Sequence, residues 1–107
     1  MWVIDIHLDS SGAYRWRLWG ADGRPAGASH AGFAARFNAQ RYARSFQDEA
    51  RDLRYEIVPG RDGDFWWQAT REDGTPMARS STGFATADDA ATDADRIRRF
   101  AGGARVP

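Results

Sequence analysis

The stretch ADGRPAGASHAGFA (residues 21–34) returns fifty-one positions later as EDGTPMARSSTGFA (residues 72–85). Pairing residues 1–51 with residues 52–102, without a gap, makes thirteen of 51 residue pairs identical, where about five are expected by chance. The identities continue on both sides of the quoted stretch, with Trp16 matching Trp67 upstream and Ala43 matching Ala94 downstream. We therefore predict a single domain, 1–107, made of two tandem repeats at about 2–51 and 53–101.

Each repeat is predicted to open with strands joined by tight turns. Apolar and polar residues alternate in WVIDIHL (2–8) and AYRWRLW (13–19), which is typical of strands with one buried face. The Asp-Gly pairs at 22–23 and 73–74 favour tight turns, because glycine adopts a positive φ at no steric cost. A third short strand is expected at about 26–30 and again at 77–81, with Pro25 and Pro76 at its start.

Helical periodicity follows each third strand. In the second repeat Thr86 is a good N-cap, and Asp89 follows three residues later as the acidic half of a capping box. The apolar face of that helix consists of Ala90, Ala94, Ile97 and Ala101. The first repeat has Ala35 at the capping position, so Asn38 is an alternative start for its helix.

The segments outside these elements complete the prediction. LRYEIV (53–58) is expected to be the opening strand of the second repeat, and the tail 102–107 is expected to be flexible. Two units of about forty residues each rarely bury a core alone. We therefore expect an α+β fold in which two β-β-β-α(-β) repeats form one antiparallel sheet, with both helices packed on one face.

Three segments together resemble the YegP-like family of small bacterial and archaeal domains. They are YRWRLWGADGRPAGASHAGF, RYEIVPGRDGDFWWQATREDGTPMARSSTGF and TADDAATDADRI, and the resemblance spans about residues 2–100. It implies one sheet built from two units, present as a tandem or as a homodimer of single units, that exchange strands. On that arrangement residues 53–58 cross from the first helix into the other unit's part of the sheet. The biochemical role of the family is not established, and the resemblance implies no catalytic residues.

Composition narrows the classes of function. Fifteen basic residues, all of them Arg, balance fifteen acidic ones, so no overall field attracts nucleic acid or a membrane surface. The chain has no Cys, which excludes disulfides and thiolate zinc sites. The first ten residues contain Asp5, His7 and Asp9 where a signal peptide would need an apolar core. We therefore expect a cytoplasmic protein without a membrane partner.

Few residues present a pattern typical of catalysis or metal binding. Asp5, His7 and Asp9 alternate along the first strand, and such a set could hold a divalent cation on one strand face. The second repeat does not preserve the set, which favours a polar strand face, and we predict no metal or cofactor. Neither His7 nor His30 has a nucleophile and an orienting carboxylate that the sequence places beside it, so we predict a non-enzymatic protein.

The sheet face that points away from the helices is the candidate binding surface. If Tyr14, Trp16 and Leu18 face the helices, the opposite face carries Arg15, Arg17, Trp19, Arg54, Trp66 and Gln68. Exposed aromatic residues mark protein interfaces, whereas Arg interleaved with aromatic residues also suits single-stranded nucleic acid. A plain solvated sheet face, with the Trp rings lying over the Arg stems, stands beside both of these interpretations. We predict a small interaction domain for protein–protein contact or self-association, with weak single-stranded nucleic-acid or anion binding as the alternative and an uncharacterised enzyme as the second alternative.

Overall fold

The computed structural model describes residues 1–106, in which three strands and a helix are followed by three more strands and a second helix. The elements are β1 Val3–Leu8, β2 Tyr14–Trp19, β3 Pro25–Ser29, α1 Arg36–Glu49, β4 Arg54–Pro59, β5 Phe65–Thr70, β6 Pro76–Ser80 and α2 Ala87–Phe100. Each element of the second half begins 51 residues after its counterpart in the first half. The third strand of each half begins one residue earlier than predicted, at the proline itself.

All six strands form one sheet in the order β1-β2-β3-β6-β5-β4, and every neighbouring pair is antiparallel. The predicted α+β fold with a single antiparallel sheet is therefore confirmed. The third strands of the two halves meet at the centre, where Ala28 lies opposite Arg79. After α1 the chain crosses to the far edge of the sheet, where β4 pairs with β5.

The core lies between the helices and one face of the sheet. Trp16 and Trp67 are fully buried and occupy equivalent positions in β2 and β5. Ala43 of α1 and Ala94 of α2 are also buried, and these small side chains let the helix axes approach the strands closely. At the sheet centre Gly27 lies directly against the ring of Trp67. A Cβ atom at position 27 would be only 3.1 Å from Trp67 Cη2. The strands thus supply the bulk of the core, as expected from their aromatic content.

The repeated stretch builds the same turn and strand twice. Gly23 and Gly74 have φ values of 78° and 90°, in the left-handed region that favours glycine. The hydroxyl of Ser29 donates to Ala31 O at 2.8 Å, and its counterpart Ser80 donates to Thr82 O at 2.9 Å. Isolated antiparallel bridges also occur at equivalent places, between Tyr14 and Phe33 and between Phe65 and Phe84. The shared residues of the two stretches therefore have backbone and packing roles.

The two helices begin differently. Thr86 caps α2, since its hydroxyl accepts a hydrogen bond from the Asp89 backbone N–H at 3.0 Å, and this prediction is confirmed. Helix α1 starts at Arg36 behind Ala35, whose side chain provides no cap hydrogen bond. The alternative start at Asn38 is wrong, because Asn38 lies within the first turn and its N–H already donates to Ala35 O.

The tail at residues 102–106 packs against the first half of the protein, and its flexibility stays a prediction. A short 3-10 helix, Ala101–Gly103, turns the chain after α2. Ala104 is only 2% exposed, and Arg105 runs parallel to the edge of β1. Its carbonyl accepts from Ile4 N–H at 2.8 Å, and its N–H donates to Trp2 O at 2.9 Å. Pro107 lies outside the described residues.

Candidate functional site

One cross-strand row of residues runs through all six strands on the face that the helices leave uncovered, here called the helix-free face. In sheet order the row is Asp5, Arg17, Ala28, Arg79, Gln68 and Glu56, and each residue is paired with the next. The residues that alternate with them, such as Leu18 and Ala69, are buried beneath the helices. The helix-free face therefore has a polar centre line with a carboxylate at each end.

Two depressions lie side by side on the helix-free face. The first, here called the basic depression, has a volume of about 340 Å³, and its walls include His7, Arg15, Arg17, Ala28, Trp66 and Arg79. The second, here called the aromatic depression, has a volume of about 270 Å³, and its walls include His30, Val58, Trp66, Gln68 and Arg79. Trp66 and Arg79 border both depressions. These two side chains therefore stand at the centre of the candidate surface.

The arginines of the helix-free face differ in their partners. Arg15 Nε donates to Asp9 Oδ2 at 2.8 Å. Arg17 Nε lies 3.5 Å from Asp5 Oδ1, and its guanidinium lies 5.0 Å from the centre of the Trp19 ring. Arg79 is exposed and has no ion pair with any carboxylate among residues 1–106. Arg79 is therefore the basic side chain of both depressions that is available to an outside group.

Asp9 serves the turn after β1 and is not available as a metal ligand. Its carboxylate accepts hydrogen bonds from Ser11 N–H at 2.9 Å, Ser11 Oγ at 2.6 Å and Ala13 N–H at 3.0 Å. These bonds and the Arg15 contact hold the pKa of Asp9 well below its ordinary value. The expectation that Asp9 extends the strand face of Asp5 and His7 is wrong, because β1 ends at Leu8. Within residues 1–106 no three His, Cys, Asp or Glu side chains are grouped closely enough for a metal ion.

Asp5 and His7, the other two residues of the candidate cation-binding set, lie close to Arg17. Burial, followed by the Arg17 guanidinium, lowers the pKa of the His7 imidazole, so the ring is neutral at neutral pH. Its Nδ1 atom, like Asp5 Oδ1 and Arg17 Nε, is buried without a hydrogen-bond partner among the described residues. His30 lies at the aromatic depression. Asp5 and Asp9 are near enough to act on the charge of His7, but no carboxylate of the described residues binds its Nδ1 atom as the orienting partner of a general base would.

The surroundings of Trp66 in the second half differ from those of the equivalent residue, Arg15, in the first half. Gly60 takes the place of Asp9, and Asp64 takes the place of Ala13. The Asp64 carboxylate fills the space that side chains on Gly60 or Gly83 would need, next to Trp66 Nε1. A Cβ on either glycine would lie only 2.8 or 2.9 Å from that indole nitrogen. The glycines thus allow Asp64 and Trp66 to pack together at the rim of the helix-free face.

The six predicted surface residues do not form one cluster. Arg15, Arg17 and Trp66 border the basic depression, and Gln68 joins Trp66 at the aromatic depression. Trp19 lies against Arg17, and Arg54 is exposed on edge strand β4, outside both depressions. The sequence analysis missed Arg79 and Ala28, although the alternation of buried Ala78 with exposed Arg79 along β6 was a signal for the former.

Comparison with solved structures identifies two proteins with the same fold. The first is YegP of E. coli, a protein of unknown function, with a TM-score of 0.75 and 18% identity over 98% of this chain and 90% of that one. The second is a UPF0339 protein of Shewanella oneidensis, with a TM-score of 0.71 and 9% identity over 98% of this chain and 88% of that one. The fold is therefore that of the YegP-like proteins, in agreement with the resemblance of the sequence.

Other comparisons add no assignment. No protein-family model matches the sequence, and no curated protein does so either. Neither α1 nor α2, the α-helices of residues 1–106, is long and apolar enough to cross a membrane.

Proposed function

We propose that this chain is a small non-enzymatic binding domain that contacts a partner protein through its helix-free face. On this proposal the chain is a tandem duplication in the cytoplasm, and its two halves join their sheets so that one broad face remains free of helices. The repeated residues serve the turns and the core, whereas the positions on the helix-free face differ between the halves. Arg15 corresponds to Trp66, and Ala28 corresponds to Arg79. Divergence at these positions places Arg15 in the first half and both Trp66 and Arg79 in the second.

The observation that carries the proposal is the position of Trp66 and Arg79 between two depressions on a face that no helix covers. Trp and Arg are the residue types that most often dominate the energy of protein interfaces. Trp66 is half-buried next to Asp64, so it loses less side-chain entropy than a fully exposed tryptophan when a partner covers it. Arg79 has no carboxylate partner of its own within residues 1–106. Both side chains are therefore ready to contact an outside surface.

Single-stranded nucleic acid is the second candidate ligand class. The presence of Arg79 next to Trp66 favours it, since stacking and phosphate neutralisation need these residue types side by side. The pairing of Arg15 with Asp9 and of Arg17 with Asp5 argues against it, because each carboxylate would repel a phosphate backbone. Affinity for an oligonucleotide that falls steeply with salt and on Arg79→Ala would favour nucleic acid over a protein partner.

The proposal is tested by quantitative capture of partners with purified tagged protein, compared across variants. Trp66→Ala removes the central aromatic side chain, and Trp19→Ala removes the one that lies against Arg17. The matched control is Phe37→Ala, because Phe37 is an exposed aromatic residue of α1 on the opposite side of the sheet. We expect Trp66→Ala to lose a partner, or a self-association seen by analytical ultracentrifugation, that the control retains. Identical partners and identical sedimentation for all variants, with unchanged circular dichroism, would contradict the proposal.

A further inference from the structure

The basic depression forms because a small residue lies between two arginines. Arg17 on β2 pairs with Ala28 on β3, and Ala28 pairs with Arg79 on β6. Adjacent strands are about 4.8 Å apart, so the two arginines start roughly 10 Å apart on either side of a methyl group. Side chains of this length can converge over Ala28 on a group that sits between them. The methyl group leaves the floor of the depression open.

The walls of the basic depression carry positive charge without a carboxylate. The residues that line it are His7, Arg15, Arg17, Pro25, Ala28, Trp66, Arg79, Ser80 and Ser81. None of these residues is acidic, although the whole chain carries as many acidic as basic residues. Asp5 and Asp9 neutralise Arg17 and Arg15 from outside the depression, and Arg79 has no such partner within residues 1–106. The depression is therefore complementary to a negatively charged group.

The hydrogen bonding of Arg17 also favours a negatively charged ligand. Its Nε is buried and makes no hydrogen bond within the described residues, and its contact with Asp5 is 3.5 Å long. Arg17 is thus held weakly by its acidic neighbour, in contrast to Arg15, which donates to Asp9 at 2.8 Å. The Arg17 guanidinium, which lies over the Trp19 ring, therefore keeps donors that Asp5 does not occupy and that a ligand can accept from.

We propose that the basic depression binds an oxyanion, a carboxylate or a phosphate, between Arg17 and Arg79, with a planar group of the same ligand against Trp66. Planar guanidinium groups bind both oxyanions through paired hydrogen bonds. This inference rests on the proposed binding function and names the chemistry that the site recognises. The oxyanion comes either from an acidic side chain of the partner protein or from a free small molecule.

The equivalent place in the second half does not offer this chemistry. In the aromatic depression Val58 stands for His7, Trp66 for Arg15 and Gln68 for Arg17. Arg79 is the one Arg or Lys side chain that borders that depression. The oxyanion site is therefore specific to one half, and its two guanidinium groups come from different halves.

The test is a calorimetric and NMR titration of the whole chain at low salt with three probes. Phenyl phosphate offers an oxyanion and a ring, inorganic phosphate offers the oxyanion alone, and N-acetyl-glutamate amide offers a side-chain carboxylate. We expect saturable binding of phenyl phosphate with amide shifts at Ala28 and Trp66, and weaker binding of inorganic phosphate. Binding of N-acetyl-glutamate amide at the same amides supports a partner's acidic side chain as the source, whereas its failure beside phenyl phosphate binding supports a free phosphate compound.

Variants distinguish a specific oxyanion site from a general attraction of anions to exposed arginines. Arg79→Ala is expected to weaken phenyl phosphate binding about tenfold or more, because one charged hydrogen-bonding partner is lost. Arg79→Lys is expected to retain part of the affinity, and Ala28→Leu is expected to block binding by filling the floor. Arg44→Ala is the matched control, since Arg44 is exposed on α1 and has no ion pair within residues 1–106.

The outcomes distinguish this inference from the proposed function. Equal weakening by Arg44→Ala and Arg79→Ala, or no saturable binding of any probe, would overturn the oxyanion site. If Trp66→Ala still loses a partner in that case, the proposed protein-binding function is retained and only the oxyanion site is rejected. Saturable binding of phenyl phosphate that depends on Arg79, with no partner lost in any variant, would support the site and overturn the protein-binding proposal.

Discussion

The indole nitrogen of Trp67 donates a hydrogen bond of 2.8 Å to the carboxylate of Asp93, and this bond ties β5 to α2. The first half has no counterpart to it, because Tyr42 stands at the position of Asp93. There Trp16 stacks on Phe46 of α1 instead, with ring centres 4.8 Å apart. The same contact between strand and helix is thus made by a hydrogen bond in one half and by aromatic stacking in the other.

Asp93→Ala is expected to destabilise the protein by about 1–3 kcal/mol, because the buried indole N–H of Trp67 loses its charged acceptor. The carboxylate is also bound by Arg96 at 2.8 Å and is mostly buried. Urea denaturation followed by fluorescence measures the loss. Asp95→Ala is the control, since its ion pair with Arg99 is exposed, and an equal effect of both variants would contradict the role given to Asp93.

Ser29→Ala and Ser80→Ala are expected to lower the free energy of unfolding by similar amounts, about 1 kcal/mol each. Both hydroxyls are buried. Each accepts a hydrogen bond from the backbone N–H of a core tryptophan, Trp16 or Trp67, and donates one to the carbonyl two residues after the serine. Thermal and urea denaturation measure the two losses. Ser10→Ala, in an exposed turn, is the control, and a loss confined to one of the two serines would count against equivalent roles in the two halves.

Deletion of residues 104–107 is expected to destabilise β1 in particular. The deletion removes two backbone hydrogen bonds between Arg105 and the edge of β1, each worth about 0.5–1.5 kcal/mol. It also removes the buried Ala104 and its contact with Gln47 of α1. Hydrogen exchange should show faster exchange of the Ile4 amide, while amides between β4 and β5 change little. Unchanged exchange at Ile4 would mean that the tail does not cover this edge in solution.

Asp9 is expected to contribute to the loss of stability in acid. Its pKa is lowered in the folded protein, so its stabilising effect is complete above the ordinary carboxyl pKa and is lost as the pH falls toward the folded-state value. Denaturation at a series of pH values between about 5 and 2 should therefore show a shallower acid decline for Asp9→Asn than for the natural chain. Asp62→Asn is the control, because Asp62 lies in an exposed turn without an ion pair among residues 1–106. An identical decline for Asp9→Asn and the natural chain would refute this assignment.

Features that depend on neighbours in the chain were predictable. The alternation in β2 placed Trp16 inside and Arg15 outside, since successive side chains of a strand point to opposite faces. The Thr86 cap was predictable because its hydroxyl bonds to an N–H three residues away. Where a short-range rule has two solutions, as at the start of α1, the sequence analysis left Asn38 open and the structure selected Ala35.

Features that depend on how the chain folds back on itself were not predictable. The pairing of Asp9 with Arg15 spans only six residues, but it requires β1 to end at Leu8 and the following turn to return the carboxylate to the sheet. The tail lacks any periodicity, and its contacts come from the open edge of β1, which exchanges backbone hydrogen bonds with Arg105. The tail leaves no local signal, because these contacts join segments far apart in sequence.

The stretch 21–34 and its second copy at 72–85 illustrate the division. Local chemistry alone established the Asp-Gly turns, the proline at each strand start and the aromatic residue that closes each unit, because these features depend on φ preferences and side-chain spacing over a few residues. The proposed binding surface depends on the pairing of β3 with β6, which sets Ala28 opposite Arg79. That pairing joins residues 51 positions apart, and its driving force is the burial of one face of both halves in a common core.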